Sequence, residues 1–277
     1  GTEREGSGVW IDGSGLLLTI GYLITEAEVI WITDHRGRAV QGTVVATDFE
    51  TGLGLVQALG KVEGIAVAPL GGGESPAEGA ACVLAAHGGA ERAVACTVAA
   101  RQPFAGHWEY LLDDAIFTAP AHPHWGGAAL FGPDGRLAGI GSLILQQGGG
   151  RKRVDLNMVV PVAPLLPVLD TMRATGATGR PLRPWLGLYA SEDDESVGVG
   201  SLARGGPAEK AGLKPEDQII AVEGEKVNDL ASLWTAVRKA GPAGAKVRML
   251  VRRGAREMEV AITSMDRARS LKAPRLH

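Results

Sequence analysis

The chain has little of several things that usually announce a function. Aromatic residues make up only 5% of its 277 residues, and there are two cysteines, Cys82 and Cys96. No run approaches the roughly 18 apolar residues that a membrane-spanning helix requires. The opening GTEREGSG also has no apolar core like that of a signal peptide, so no targeting segment is read in the chain as given. Charge of one sign is missing too: 28 Lys and Arg stand against 31 Asp and Glu, a net charge of −3. No block of like charge forms a footprint for nucleic acid or an anionic membrane. Neither partner class is indicated.

What is present is apolar content of 45%, enough to fill two or three compact cores, and forty glycines. Short Val, Ala and Leu runs separated by Gly, Pro and Asp predict a mostly β chain. The runs GSGVWIDGSGLLLTIGYLI, VIWITDHRGRAVQGTVVATD and TGLGLVQAL predict one antiparallel unit over residues 7–70. A second series, from GAACVLAAH to DLNMVVP, predicts another over residues 78–161. Two tandem β-barrels are the natural closure, because a closed sheet has no exposed edges. Within the second unit, Cys82 and Cys96 flank VLAAHGGAERAVA, and a turn at Gly88-Gly89 makes them face one another across two strands. A disulfide and a pair of small buried thiols both fit. The run PVAPLLPVLDTMR, residues 161–173, reads as a short helix with Leu165, Leu166 and Leu169 on one face. The domain reading is thus 1–173 for the β-barrels with this helix, 174–180 for a linker, 181–265 for a further domain and 266–277 for a tail.

That further domain carries the firmest pattern. RPWLGLY, then GGPAEKAGLKPEDQIIAVEG, then DLASLWTAVRKA and AKVRMLVRRGAREMEVAI resemble a bacterial-type PDZ domain. PDZ domains bind peptides by strand addition, with the backbone N–H groups of an apolar-Gly-apolar loop capturing the terminal carboxylate. The resemblance places that loop at Trp185, Leu186, Gly187 and Leu188, and the opposite wall at Leu230, Leu233, Trp234 and Val237. A plain core role for these leucines is the competing reading.

Two β-barrels, a helix and a PDZ unit together resemble the HtrA family of trypsin-like serine proteases, over nearly the whole chain from Gly6. In that family LTNxHVV holds the general base, DxxTDLALL the aspartate that orients it and GNSGGPL the nucleophile. The matching segments here are LLTIGYLI, DFETGLGLV and PHWGGAAL, which put Tyr22, Gly52 and Trp125 at the three positions. A phenol with a pKa near 10 is a poor base at neutral pH, and glycine orients nothing. Trypsin-like enzymes also use the backbone N–H groups of the serine and of the residue two before it to hold the oxyanion. That residue is Pro123, which has no N–H. Trp125 itself either fills the former cleft or offers it as an apolar contact surface.

The resemblance therefore implies a catalytically inactive pseudoprotease that binds C-terminal peptides or unfolded proteins through its PDZ domain, as a scaffold or as partner to an active protease or envelope protein. It implies a periplasmic or cell-envelope location and no cofactor. The alternative is an enzyme: a serine-type endopeptidase with residual activity, or a metal-assisted hydrolase on the His122-Pro123-His124 loop, with His107, Asp113 and Asp114 near in sequence. Two histidines at i and i+2 are a weak signature, and a solvated loop is the plainer expectation. GGGRKRVD, residues 148–155, reads as a solvated hairpin tip rather than an anion site. Gly198-x-Gly200 lacks the third glycine of a nucleotide fingerprint.

Overall fold

The computed structural model describes residues 3–62, 64–72, 74–148, 153–193 and 196–272. The chain forms two units, one of Gly1–Gln102 and Asp114–Gly179, the other of Pro103–Asp113 and Arg180–Lys272.

The first unit begins with β1 (Val9–Trp10), β2 (Leu16–Ile20), β3 (Ile30–Thr33), β4 (Ala39–Thr47) and β5 (Leu53–Ala58), an antiparallel sheet in the order β1-β2-β5-β4-β3. Its turns are set by aspartates. The Asp12 carboxylate accepts from Ser14 N–H at 2.8 Å and Leu16 N–H at 3.1 Å, and Asp34 does the same for Arg36 and Arg38 at 2.8 and 2.9 Å. Asp48 folds the β4–β5 turn, accepting from Glu50 N–H at 3.0 Å and the Thr51 hydroxyl at 2.9 Å. Every residue of β2 is buried.

The second half of this unit contains β6 (Ala81–Ala85), β7 (Val94–Ala105), β8 (Leu111–Ala119), β9 (Ala129–Phe131), β10 (Leu137–Gln147) and β11 (Val154–Pro161). These strands close into a barrel in the order β10-β11-β8-β7-β6-β9, whereas the first five form a sheet whose outer strands are β1 and β3. Cys82 pairs directly with Cys96 between β6 and β7, and both are free thiols buried among Leu84, Val98, Ile116, Leu130 and Val159. Burial, with the neighbouring Cys96, pushes the Cys82 thiol up to about 11, and burial also raises Cys96. Since the thiolate is the nucleophile, neither cysteine is expected to react with iodoacetamide in the native protein at pH 7, while both react in urea. Labelling at comparable rates in the two conditions would contradict this burial. Of the basic tip at 148–155, residues 149–152 lie outside the described residues.

The helix after the barrel is shorter and differently phased than its sequence suggests. A 3₁₀ turn over Leu166–Val168 leads into α1 (Leu169–Thr175), and the buried side chains are Leu165, Val168 and Met172. Leu166 and Leu169 are only half-buried. Pro164 and Pro167 explain the change, because a proline cannot donate to the preceding turn and breaks a continuous α-helix there. Gly176, at φ +75°, ends α1 in a left-handed cap.

The second unit contains β12 (Leu188–Glu192), β13 (Val197–Leu202), α2 (Pro207–Lys210), β14 (Gln218–Val222), β15 (Glu225–Lys226), α3 (Leu230–Lys239), β16 (Lys246–Arg253) and β17 (Arg256–Thr263). The sheet runs β12-β13-β14-β16-β17, with β15 paired to β14. Asp229 starts α3 with a capping box: its carboxylate accepts from Ser232 N–H at 2.6 Å, and the Ser232 hydroxyl accepts from Asp229 N–H at 3.0 Å. The apolar side of α3 joins Val222, Val247, Met249, Val251 and Ile262 in one core. Residues 103–113, which position in the chain assigns to the barrels, belong to this unit because Leu111 is buried in that core and the segment pairs with β12. Among the described residues no helix is long and apolar enough to cross a membrane.

Candidate functional site

Tyr22, Gly52 and Trp125 come together in the first unit through two close approaches. Tyr22 sits in a 3₁₀ turn, Gly21–Leu23, directly after β2. Gly21 N–H donates to the Gly52 carbonyl at 2.6 Å, and a Cβ on Gly21 would stand 2.9 Å from that oxygen. On the other side, a Cβ on Gly126, the neighbour of Trp125, would lie 3.0 Å from the Tyr22 hydroxyl. The loop is held by backbone: Ala128 N–H donates to the Trp125 carbonyl at 3.0 Å and Gly127 N–H to the Gly141 carbonyl at 2.9 Å. Gly127 is required there, since its φ is +78° and a Cβ would fall 1.9 Å from the Ser7 carbonyl oxygen.

The chemistry available at this cluster is limited. The Tyr22 hydroxyl donates to the Ser142 carbonyl at 2.9 Å, and burial raises its pKa above the usual phenol value, so it is protonated at neutral pH. Gly52, at φ +80°, contributes only backbone. Trp125 is half-buried, neither a core residue nor a free surface one, and Pro123 is exposed.

His122 departs from the solvated loop expected of it, because it is almost fully buried. Its Nε2 lies 2.6 Å from the Arg92 carbonyl, and its Nδ1 accepts from His124 N–H at 3.0 Å. This pattern requires the Nε2–H tautomer. Its backbone N–H donates to Asn157 Oδ1 at 2.5 Å, and Asn157 Nδ2 donates back to the His122 carbonyl at 3.2 Å. Both ring nitrogens are thus engaged in positioning the loop. Asp114 pairs with Arg101 and Asp113 with Arg238, and among the described residues no group of three or more His, Cys, Asp or Glu is placed to hold a metal ion.

In the second unit, Trp185 pairs with Met265, its N–H donating at 2.9 Å and its carbonyl accepting at 3.0 Å, which fixes the loop Trp185 to Leu188 beside the first strand of the sheet. Leu186, Leu188, Leu230, Leu233, Trp234 and Val237 are all buried in one apolar cluster, so they are core residues. Gly187 has φ +74°, and a Cβ on it would meet Ala203 Cβ at 3.1 Å. Replacing it with valine therefore strains the fold as well as the loop.

One residue of this site has no signal in the sequence. The Glu109 carboxylate accepts from Leu186 N–H, at 3.0 Å to Oε1 and 2.8 Å to Oε2, and from Leu188 N–H at 2.8 Å. Loss of water pushes its pKa up to about 7, against the lowering effect of the Leu188, Leu186 and Gly187 amides and of the Arg267 charge. No local motif marks Glu109; it is found only when the fold brings 103–113 to the loop.

The fold and these sites define a trypsin-like domain followed by a PDZ domain. A profile of the trypsin-like peptidase domain matches residues 6–140, and one of the PDZ domain matches residues 184–263. The chain is 25% identical over 279 residues to a probable periplasmic serine endoprotease DegP-like of Hahella chejuensis, covering 94% of this chain and 56% of that protein. It is 26% identical over 289 residues to the periplasmic pH-dependent serine endoprotease DegQ of Escherichia coli, covering 94% of this chain and 59% of DegQ. Among solved structures it matches the HtrA-type protease AlgW with decapeptide at a TM-score of 0.57 and 22% identity, over 98% of this chain and 83% of that one. The serine endoprotease from Yersinia pestis matches at 0.55 and 22%, over 94% and 88%. The chain thus resembles HtrA-type proteases in carrying a trypsin-like domain followed by a PDZ domain, and it spans little more than half the length of these DegP-like and DegQ relatives.

Proposed function

We propose that this chain is a catalytically inactive HtrA-like pseudoprotease that works as a peptide-binding or scaffold protein through its PDZ domain. The observation that carries the reading is the clustering of Tyr22, Gly52 and Trp125, with Pro123 two residues before Trp125, at the positions where the family resemblance expects base, orienting acid, nucleophile and oxyanion donor. A protonated phenol already bonded to a carbonyl takes no proton from a nucleophile, and a proline donates nothing to an oxyanion. The reading calls for no metal or cofactor. The periplasm or cell envelope is its proposed location, supported by the names of the DegP-like and DegQ relatives. Its proposed partners are peptide C-termini or unfolded proteins, and through them an active protease or an envelope protein.

The test is hydrolysis of unfolded casein and labelling by a fluorophosphonate probe, each with and without zinc. Neither cleavage nor labelling is expected. Labelling without zinc would restore the serine-peptidase reading, and cleavage only with zinc the metal-assisted one.

Peptide binding is tested separately by calorimetry on the full chain. Decapeptides ending in Val, Leu, Ile or Ala are expected to bind, and amidating their terminus to weaken binding by about tenfold or more, the worth of a charge-assisted hydrogen bond. Equal affinity for free and amidated forms would remove carboxylate capture from the reading.

A further inference from the structure

The segment between β7 and β8 lies against the PDZ unit in the manner of a bound peptide. His107 and Trp108 run antiparallel to β12: the His107 carbonyl accepts from Ala190 N–H at 2.6 Å, and Trp108 bridges Tyr189. From there the chain advances toward the Trp185 to Leu188 loop, where the Glu109 carboxylate accepts from the amides of Leu186 and Leu188. On the α3 side, Trp234 Nε1–H donates to the Gly106 carbonyl at 2.8 Å. Leu111 is buried in the same cluster as Leu186, Leu188, Leu233, Trp234 and Val237, and Arg238 donates to its carbonyl. Edge-strand pairing, carboxylate capture and an apolar side chain in the pocket are the three contacts of PDZ recognition. All three are made here by the chain's own segment.

We propose that residues Gly106 to Leu111 are an internal ligand of the PDZ groove, with the Glu109 side-chain carboxylate in the place of a peptide's C-terminal carboxylate, and that a free C-terminal peptide enters only by displacing them. The displacement half rests on the peptide-binding reading above; the occupancy half does not. A side-chain carboxylate presents the same two oxygens to the loop as a chain terminus while allowing the backbone to continue into β8. Ligand and groove are covalently joined, so the internal contact acts at a high effective concentration and lowers the apparent affinity of any competitor.

The experiment compares the full chain with its Glu109→Ala and Glu109→Gln variants, the second keeping the size of the side chain while removing its charge. Without peptide, amide hydrogen exchange at Leu186, Leu188 and Ala190 is expected to rise by about tenfold or more in Glu109→Ala and by less in Glu109→Gln, with the exchange of β16 unchanged. A fluorescein-labelled decapeptide ending in a free Leu carboxylate is expected to bind Glu109→Ala about tenfold tighter than the wild-type chain. Wild-type exchange rates at Leu186 and Leu188 in both variants would overturn internal occupancy. Raised exchange with the same peptide affinity in all three proteins would overturn displacement. Raised exchange with no peptide binding to any of them would leave occupancy standing, overturn displacement and count against the peptide-binding function itself.

Discussion

Trp125→Ser alone is expected to leave casein hydrolysis at background. Removing a nucleophile or base from an intact serine-protease triad costs about a millionfold in kcat, and a lost oxyanion donor a further hundred- to thousandfold. A serine at 125 would meet a protonated Tyr22, whose hydroxyl is committed to the Ser142 carbonyl, and a Pro123 with no N–H to offer. Recovery is expected to need Tyr22→His, Gly52→Asp, Pro123→Gly and Trp125→Ser together. The Gly52 step has its own cost, because φ is +80° there and aspartate, although among the more tolerant residues, is strained by about 1 kcal/mol in a left-handed conformation. Cleavage well above background by the single variant would show that another group supplies the base and that the site is less dismantled than Tyr22, Gly52 and Pro123 imply.

The loops that carry Tyr22, Gly52 and Trp125 are legible in the sequence where they are built by local chemistry. The Asp48 turn and the turn after β2 are each specified by residues within a few positions of one another. The capping box at Asp229 and the Gly-Leu-Lys-Pro turn after α2 make the PDZ unit legible for the same reason. The facing of Cys82 and Cys96 follows from one hairpin and the period of two along a strand. What escaped depends on distant partners. His122 reads as a loop residue because its fixed points, Arg92 and Asn157, are 30 and 35 residues away in the chain. Leucine spacing points to the wrong buried face of α1 because two prolines reset the helical phase. Glu109 has no local signal because Trp-Glu-Tyr acquires its role only from an edge strand and a loop some 80 residues further along the chain.

Within the PDZ unit, the largest single loss of stability outside the apolar core is expected at the Asp217–Arg253 pair. Asp217 is fully buried, and accepts from Arg253 Nε at 2.6 Å, from Arg253 Nη2 at 2.7 Å and from Lys214 N–H at 2.9 Å. The bidentate fork ties the strand end at Arg253 to the turn that precedes β14. Breaking a buried ion pair typically costs about 3–5 kcal/mol, much of it from the charge left behind. Which charge is left behind should decide the magnitude here. The Arg253 side chain is 32% exposed and also reaches the Gly212 carbonyl, so after Asp217→Ala it can turn to water, and about 3 kcal/mol is expected. Arg253→Met instead strands a buried carboxylate with one amide partner, and is expected to cost at least as much at pH 7. The Arg253 guanidinium holds the Asp217 pKa below its ordinary value of 3.8. A lowered folded-state pKa gives stability that is fully present above about pH 4–5 and is lost as pH falls through the folded value. The deficits of both variants should therefore shrink on acidification below pH 4, and that of Arg253→Met should begin to shrink at a higher pH, because its unpaired carboxyl takes up a proton more readily. Urea unfolding of the full chain, followed by the fluorescence of Trp234 after the other tryptophans are replaced by phenylalanine, reads the difference between pH 3 and pH 7. A cost for Asp217→Ala below about 1 kcal/mol at pH 7, or one that does not change with pH, would show that the pair is maintained by packing around it and contributes little as a charge contact.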